Sequence, residues 1–140
     1  MTGTVSSLTV TGPWSLRLDA PAVVGGGQAV PLRLVLTNTG EKTLRIELPG
    51  DQRHRADFVV MRGSTEVWEK LRGAMSLDFL WVMHIAPNDS VVFQDLWPQR
   101  TNRRRLVSPG KYTVKGIVFE RTLTKSPGGM VSAPVEVIIR

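Results

Sequence analysis

Apolar and polar side chains alternate with period two along most of this chain, and the spacing of an amphipathic helix is scarce. Trp14, Leu16 and Leu18 alternate with Ser15, Arg17 and Asp19. Val30, Leu32, Leu34 and Leu36 face one way, and Leu44, Ile46 and Leu48 repeat the pattern. Further strands are expected around Phe58 and Val60, over Thr65–Glu69, Phe79–Ile85 and Ser90–Trp97, through Tyr112, Val114 and Ile117–Phe119, and over Val135, Val137 and Ile139. Asn38-Thr39-Gly40-Glu41, Pro49-Gly50-Asp51, Arg62-Gly63-Ser64 and Pro87-Asn88-Asp89 supply turn residues, several of which tolerate a left-handed backbone. Leu71, Met75 and Phe79 are spaced by four, which predicts a short helical turn before the next strand. About eight strands separated by turns predict an all-β fold, a single immunoglobulin-like antiparallel β-sandwich.

Length changes the picture only by fixing one domain over residues 1–140 of the 140-residue chain. Composition removes whole classes of chemistry. There is no cysteine, so disulfides, thiolate metal sites and cysteine nucleophiles are excluded. No apolar run approaches the ~18 residues of a membrane span. The N-terminal Met1–Leu8 segment lacks the basic and apolar regions of a signal peptide. A cytoplasmic location without a membrane partner is therefore expected, the alternative being export after removal of a leader. The net charge of +6 is local: residues 96–140 hold nine basic and two acidic residues. That surplus in the last third is expected to form a patch for acidic partners.

Candidate chemistry is thin. No Gly-x-Ser-x-Gly elbow is present, and the two histidines, His54 and His84, lack a motif around them. Asp51, His54 and Asp57 have a metal-like spacing, but across a turn and a strand start they read as solvated loop residues. His84, within Leu80–Ile85, reads as a satisfied, partly buried strand histidine. Gly25-Gly26-Gly27 lacks the Lys-Ser/Thr of a phosphate loop and reads as a mobile connection. Trp14, Trp68, Trp81 and Trp97 read as core or edge packing. Tyr112, following Pro109-Gly110, is placed to return its hydroxyl to loop backbone as in a tyrosine corner. No cofactor and no metal site are expected. The distinctive surface feature is the run from Trp97 to Leu106, whose arginines Arg100, Arg103, Arg104 and Arg105 are the candidate partner-binding residues. Mutual repulsion is expected to keep that loop solvated.

The order of signals also resembles the BsuPI family of bacterial intracellular proteinase inhibitors. The pieces are Leu34-Val35-Leu36-Thr37-Asn38, Gly50-Asp51-Gln52, Asp57-Phe58-Val59-Val60 and Glu66-Val67-Trp68. They continue with Ile85-Ala86-Pro87-Asn88-Asp89-Ser90, Asp95-Leu96-Trp97 and Pro109-Gly110-Lys111-Tyr112-Thr113-Val114, so that residues 30–120 are covered. Asp51 is inserted between Gly50 and Gln52, Asn88 stands where the pattern has glycine, and the arginine-rich loop is this chain's own. The resemblance implies a non-catalytic protein-binding domain that inhibits a subtilisin-type serine proteinase. Candidate docking segments are Arg100–Leu106 and the Leu71–Phe79 connection. The alternative is a module that binds nucleic acid or another polyanion through its basic C-terminal third, with steep salt dependence. Oligomeric state is open, because an exposed edge strand can pair two copies.

Overall fold

A computed structural model describes residues 3–72, 79–123 and 129–140. In chain order the strands are β1 (Thr4–Thr11), β2 (Trp14–Pro21), β3 (Val23–Val24), β4 (Val30–Asn38), β5 (Leu44–Pro49) and β6 (Ala56–Arg62). They continue with β7 (Thr65–Glu69), β8 (Leu80–Ile85), β9 (Ser90–Trp97), β10 (Gly110–Val118), β11 (Met130–Val131) and β12 (Val135–Ile139). One sheet runs β1-β2-β4-β9 and the other β3-β12-β10-β6-β7, with β11 added to β10 and β5 paired to β8. Every pairing is antiparallel except the short parallel contact of β12 with β3. This is the expected immunoglobulin-like sandwich.

Three strands go beyond those the alternation marks: β1, β3 and β11. In β1 Leu8 and Val10 face outward and stand 62% and 64% exposed, and of the inward positions Val5, Ser7 and Thr9 only Val5 is apolar, so the strand carries no alternating apolar signature. Its outer edge is tied to the other sheet instead: Ser7 Oγ donates to Ala133 O at 2.6 Å, and Thr9 Oγ1 accepts from Ala133 N at 3.0 Å. The expected helical turn includes Met75, which lies outside the described residues. Its two ends, Leu71 and Phe79, are described. The Phe79 ring lies so close on Gly50 that a Cβ there would stand 1.9 Å from it.

The core forms where the alternating faces meet. Leu16, Leu18, Leu32, Leu34 and Leu36 from the first sheet pack with Phe58, Val60, Tyr112, Val114, Val137 and Ile139 from the second. Each such buried side chain contributes about 1.5–3 kcal/mol relative to exposure. Gly116 on β10 marks a close approach of the sheets, because a Cβ there would lie 2.7 Å from Leu34 Cδ1.

Turn chemistry is side-chain chemistry as much as backbone freedom. The turn after β4 needs no left-handed residue. Asn38 is fully buried; its Oδ1 accepts from Gly40 N at 2.9 Å, and its Nδ2 donates to Lys42 O and Ile85 O at 2.8 Å each. Asn88, where the family pattern has glycine, takes φ 69°, a left-handed position that asparagine tolerates better than most residues. Buried Glu120 ties the β5–β8 pair to the end of β10 by accepting from Glu47 N at 2.6 Å.

Candidate partner-binding hairpin

Between β9 and β10 the chain leaves one sheet, makes a tight excursion and enters the other. Trp97 ends β9 fully buried, its ring edge-on to Tyr112 at 5.3 Å, and its Nε1 donates to Arg100 O at 3.0 Å. Arg100 pairs with Leu106 in an isolated antiparallel bridge. Thr101 N donates to Arg105 O at 2.8 Å, Arg104 N to Thr101 O at 2.8 Å, and Val107 N to Gln99 O at 2.9 Å. The result is a three-residue hairpin loop, a β-turn followed by a left-handed residue. That residue is Arg104 at φ 65°, where glycine is usual.

The loop is exposed, as expected, but it is not loose. Thr101 Oγ1 accepts from Arg103 N and Arg105 N at 3.2 and 3.3 Å. Arg100 Nη1 donates to Arg104 O at 2.9 Å. The Asn102 amide grips the end of β7: its Oδ1 accepts from Glu69 N at 2.9 Å and its Nδ2 donates to Glu69 O at 2.8 Å. At the base, Gln99 is 1% exposed. Its Nε2 donates to Gly25 O at 2.7 Å, and its Oε1 accepts from Gly27 N at 3.1 Å. Gly26 N also donates to Arg140 O at 2.9 Å. The triple-glycine segment is therefore a pinned platform for the hairpin, which corrects the expectation of a mobile connection.

The exit arm is equally fixed. The Tyr112 hydroxyl donates to Ser108 O at 2.5 Å, the expected tyrosine corner. Arg62, at the end of β6, donates to Ser108 Oγ, to Tyr112 Oη and to Pro109 O. Its guanidinium lies against Gly110, where a Cβ would meet Arg62 Nη2 at 2.7 Å.

Of the four candidate arginines, Arg100, itself exposed, braces the loop through its bond to Arg104 O. Arg103, Arg104 and Arg105 are exposed and form no ion pair with a carboxylate among the described residues. Other charges of the basic third are compensated. Lys111 Nζ lies 3.7 Å from Glu136 Oε2, and Lys115 stands near enough to Glu66 to favour its charged form. Gln99, Asn102 and Arg62 were not legible as site residues. Gln99 and Asn102 lie within the arginine-rich run itself, whereas Arg62 is distant from it in sequence and carried no signal.

Beside the Asn102 clamp lies a group of carboxylates. Asp57 on β6 is 1% exposed, with Oδ1 accepting from Phe58 N at 2.8 Å and Leu71 N at 3.1 Å. Burial raises its pKa. Burial first, and then hydrogen bonding with Asp57 and Glu66, pushes the Glu69 carboxyl up to about 7. Two backbone donors favour charge on Asp57, so the pair keeps its proton on Glu69. Glu66 is held low by Arg72.

Three expectations are corrected here. Asp57 is a buried strand residue, because the chain leaving β7 crosses over it. His54, in a 3₁₀ turn over Gln52–His54, is half-buried with Nδ1 2.9 Å from Asp51 Oδ2, and both of its ring nitrogens are closed to solvent. Such a ring cannot serve a substrate as a base. His84 is exposed rather than partly buried, opposite Arg45 on the outer face of β8. Among the described residues no group of three or more His, Asp or Glu side chains is placed to hold a metal ion. A recess of about 600 Å³ on the outer face of the first sheet, around Pro21, Pro31 and Leu96, gathers no such constellation either. No helix among the described residues is long and apolar enough to cross a membrane.

The chain is thus a β-sandwich that carries a braced, solvent-facing hairpin between β9 and β10. Sequence comparison makes the class specific: residues 19–123 match the model of the BsuPI intracellular proteinase inhibitor family, and the chain belongs to that family. No curated protein matches it. Among solved structures it is similar to the Pseudomonas fluorescens alkylpurine DNA glycosylase AlkC bound to DNA containing an abasic site analog, at 14% identity and TM-score 0.47, covering 86% of this chain and 28% of that one. It is similar to a β-glucosidase from Listeria innocua at 7% identity and TM-score 0.45, covering 99% of this chain and 16% of that one. It is also similar to a CARDB domain from Pyrococcus furiosus at 14% identity and TM-score 0.45, covering 99% of this chain and 97% of that domain. The chain thus spans less than a third of the glycosylase and less than a fifth of the glucosidase.

Proposed function

We propose that this protein is a non-catalytic, cytoplasmic binding domain that inhibits a serine proteinase of the subtilisin type by docking its Arg100–Leu106 hairpin. Family membership supports inhibition in general. The observation that carries the choice of hairpin is its combination of exposure and bracing, with an exposed tip and backbone bonds at 2.8–2.9 Å on both arms. A loop already ordered before docking loses less freedom on binding, and a cut segment held at both ends does not depart. In a chain without disulfides, Gln99, Asn102 and Arg62 supply that order.

The test is a titration of the protein against a subtilisin and against trypsin, followed by mass spectrometry of the chain. Stoichiometric inhibition with the chain intact, or nicked once within the hairpin, supports the reading. Digestion without inhibition overturns it. The guanidiniums of Arg103, Arg104 and Arg105, which form no ion pair among the described residues, also suit an anionic partner. A polyanion would show itself as binding that falls steeply with salt and disappears in the Arg103→Ala/Arg104→Ala/Arg105→Ala variant.

A further inference from the structure

We infer that the bond presented to the protease is Leu106–Val107, with the Leu106 side chain rather than an arginine entering the primary specificity pocket. The inference rests on the inhibitor reading above and names the residue and pocket chemistry of that same hairpin. A serine protease takes its target as an extended strand and places the carbonyl of the residue in the primary pocket among oxyanion-stabilising donors. The residue presented must therefore be extended, exposed and free to turn its own N–H and C=O outward.

The ladder of the hairpin selects one residue on those terms. The bridge Arg100↔Leu106 is flanked by the bonds Thr101 N to Arg105 O and Val107 N to Gln99 O. Arg100 and Leu106 are thus the non-hydrogen-bonded pair of the ladder, and the N–H and C=O of Leu106 point away from the facing arm. Neither group meets a hydrogen-bonding partner among the described residues. Leu106 is 59% exposed. The arginines fail the same requirement. Arg105 O is bonded to Thr101 N, Arg104 O is bonded to Arg100 Nη1 and Arg104 is left-handed, and Arg103 sits inside the turn. A leucine in the pocket calls for a protease with a large apolar pocket. The three guanidiniums then lie on the N-terminal side of the bond, suited to steering toward an acidic rim.

The same ladder explains why such a bond would inhibit rather than feed the enzyme. The protease serine Oγ adds to the Leu106 carbonyl carbon while its proton passes to the protease histidine. The bond to Val107 N breaks, and that nitrogen takes the proton and becomes the new amine. It does not leave, because Val107 N is held on Gln99 O at 2.9 Å and the half-buried Val107 side chain packs on the core. Gln99 is itself anchored on Gly25 and Gly27. The amine therefore stays beside the acyl carbon, and its return restores the peptide bond and releases the serine faster than water completes hydrolysis.

The experiment uses the full chain, a subtilisin and trypsin, with Leu106→Lys and Arg105→Ala as variants and circular dichroism to confirm that both fold. The expected result is subtilisin inhibition by the wild type, with any nick falling between residues 106 and 107. Leu106→Lys weakens that inhibition by roughly 30-fold or more and gains inhibition of trypsin, whereas Arg105→Ala, which removes one steering charge, weakens it by a smaller factor than Leu106→Lys and gains no trypsin inhibition. Subtilisin inhibition that ignores Leu106→Lys, or a nick elsewhere, overturns Leu106 as the presented residue and leaves the inhibitor reading standing. Trypsin inhibition by the wild type with a nick after an arginine does the same in favour of that arginine. Digestion by both proteases without inhibition overturns the two together.

Discussion

Replacing Asn102 by alanine removes the clamp between the hairpin tip and β7 while leaving the ladder of the hairpin intact. Two hydrogen bonds are lost, at 2.9 and 2.8 Å. Each contributes about 0.5–1.5 kcal/mol net, and exposure places both toward the lower end. The sum of about 1–2 kcal/mol corresponds to a roughly 5–30-fold rise in the population of the open loop. Trypsin reads that population, because Arg103, Arg104 and Arg105 are cleavable only once the tip leaves its turn, and the nicking rate tracks the open fraction when closing is fast. Asn102→Ala is expected to raise the nicking rate at these arginines by that factor, and to weaken inhibition of the target protease in parallel. Asn102→Asp keeps the acceptor but turns a carboxylate toward Glu69 O, so it should do no better than alanine. An unchanged nicking rate in Asn102→Ala would refute the reasoning and show that Thr101 and Arg100 alone hold the tip.

Tyr112→Phe deletes the hydroxyl that bridges Ser108 O and Arg62. A loss of about 1–3 kcal/mol is expected, read as a fall in Tm of roughly 3–10 °C; an unchanged Tm would show that the corner bond is dispensable. Arg104→Gly relieves a left-handed backbone that costs about 1–2 kcal/mol in a residue with a Cβ, so the urea midpoint should rise with unchanged slope, and a fall would count against strain at that position. Glu69 keeps its proton in the folded state up to about pH 7, against an ordinary value of 4.5. Its contribution to stability is thus fully present below the ordinary value and is lost as pH rises through about 7. Glu66 and Asp51, both held low, act in the opposite sense and weaken the fold only as pH falls below their ordinary values. Glu69→Gln should therefore flatten the fall in urea midpoint between about pH 5 and about pH 8.5, and an unaltered slope would show that the pair does not hold the proton.

The sandwich was legible because alternation of Leu32, Leu34 and Leu36, or of Val135, Val137 and Ile139, has one solution when a face must be buried. β1 was not, since Leu8 and Val10 point outward and Val5 is its single inward apolar residue. His84 misled for a related reason: its neighbours Leu80 and Val82 share its outer face and stand exposed at 45% and 39%, so their apolar character signalled no burial. The arginine loop could be placed from its composition, but its rigidity could not. Rigidity comes from Gln99 reaching residues 74 and 72 positions away, and from Asn102 reaching one 33 positions away. Charge repulsion is visible in a local sequence, whereas a brace assembled from distant segments is not.

That assembly ties the state of the loop to the maturity of the whole molecule. The ladder of the hairpin is local and can form early, but Gly25 and Gly27, Arg62 and Glu69 come into position only after both sheets have docked. A nascent or partly unfolded chain therefore offers the same sequence, Arg103 to Val107, without Asn102 or Gln99 holding it, and a protease cuts it as ordinary substrate. On the inhibitor reading proposed above, the segment would then work as a quality check: molecules that finish folding would block the enzyme, and those that do not would be removed by it.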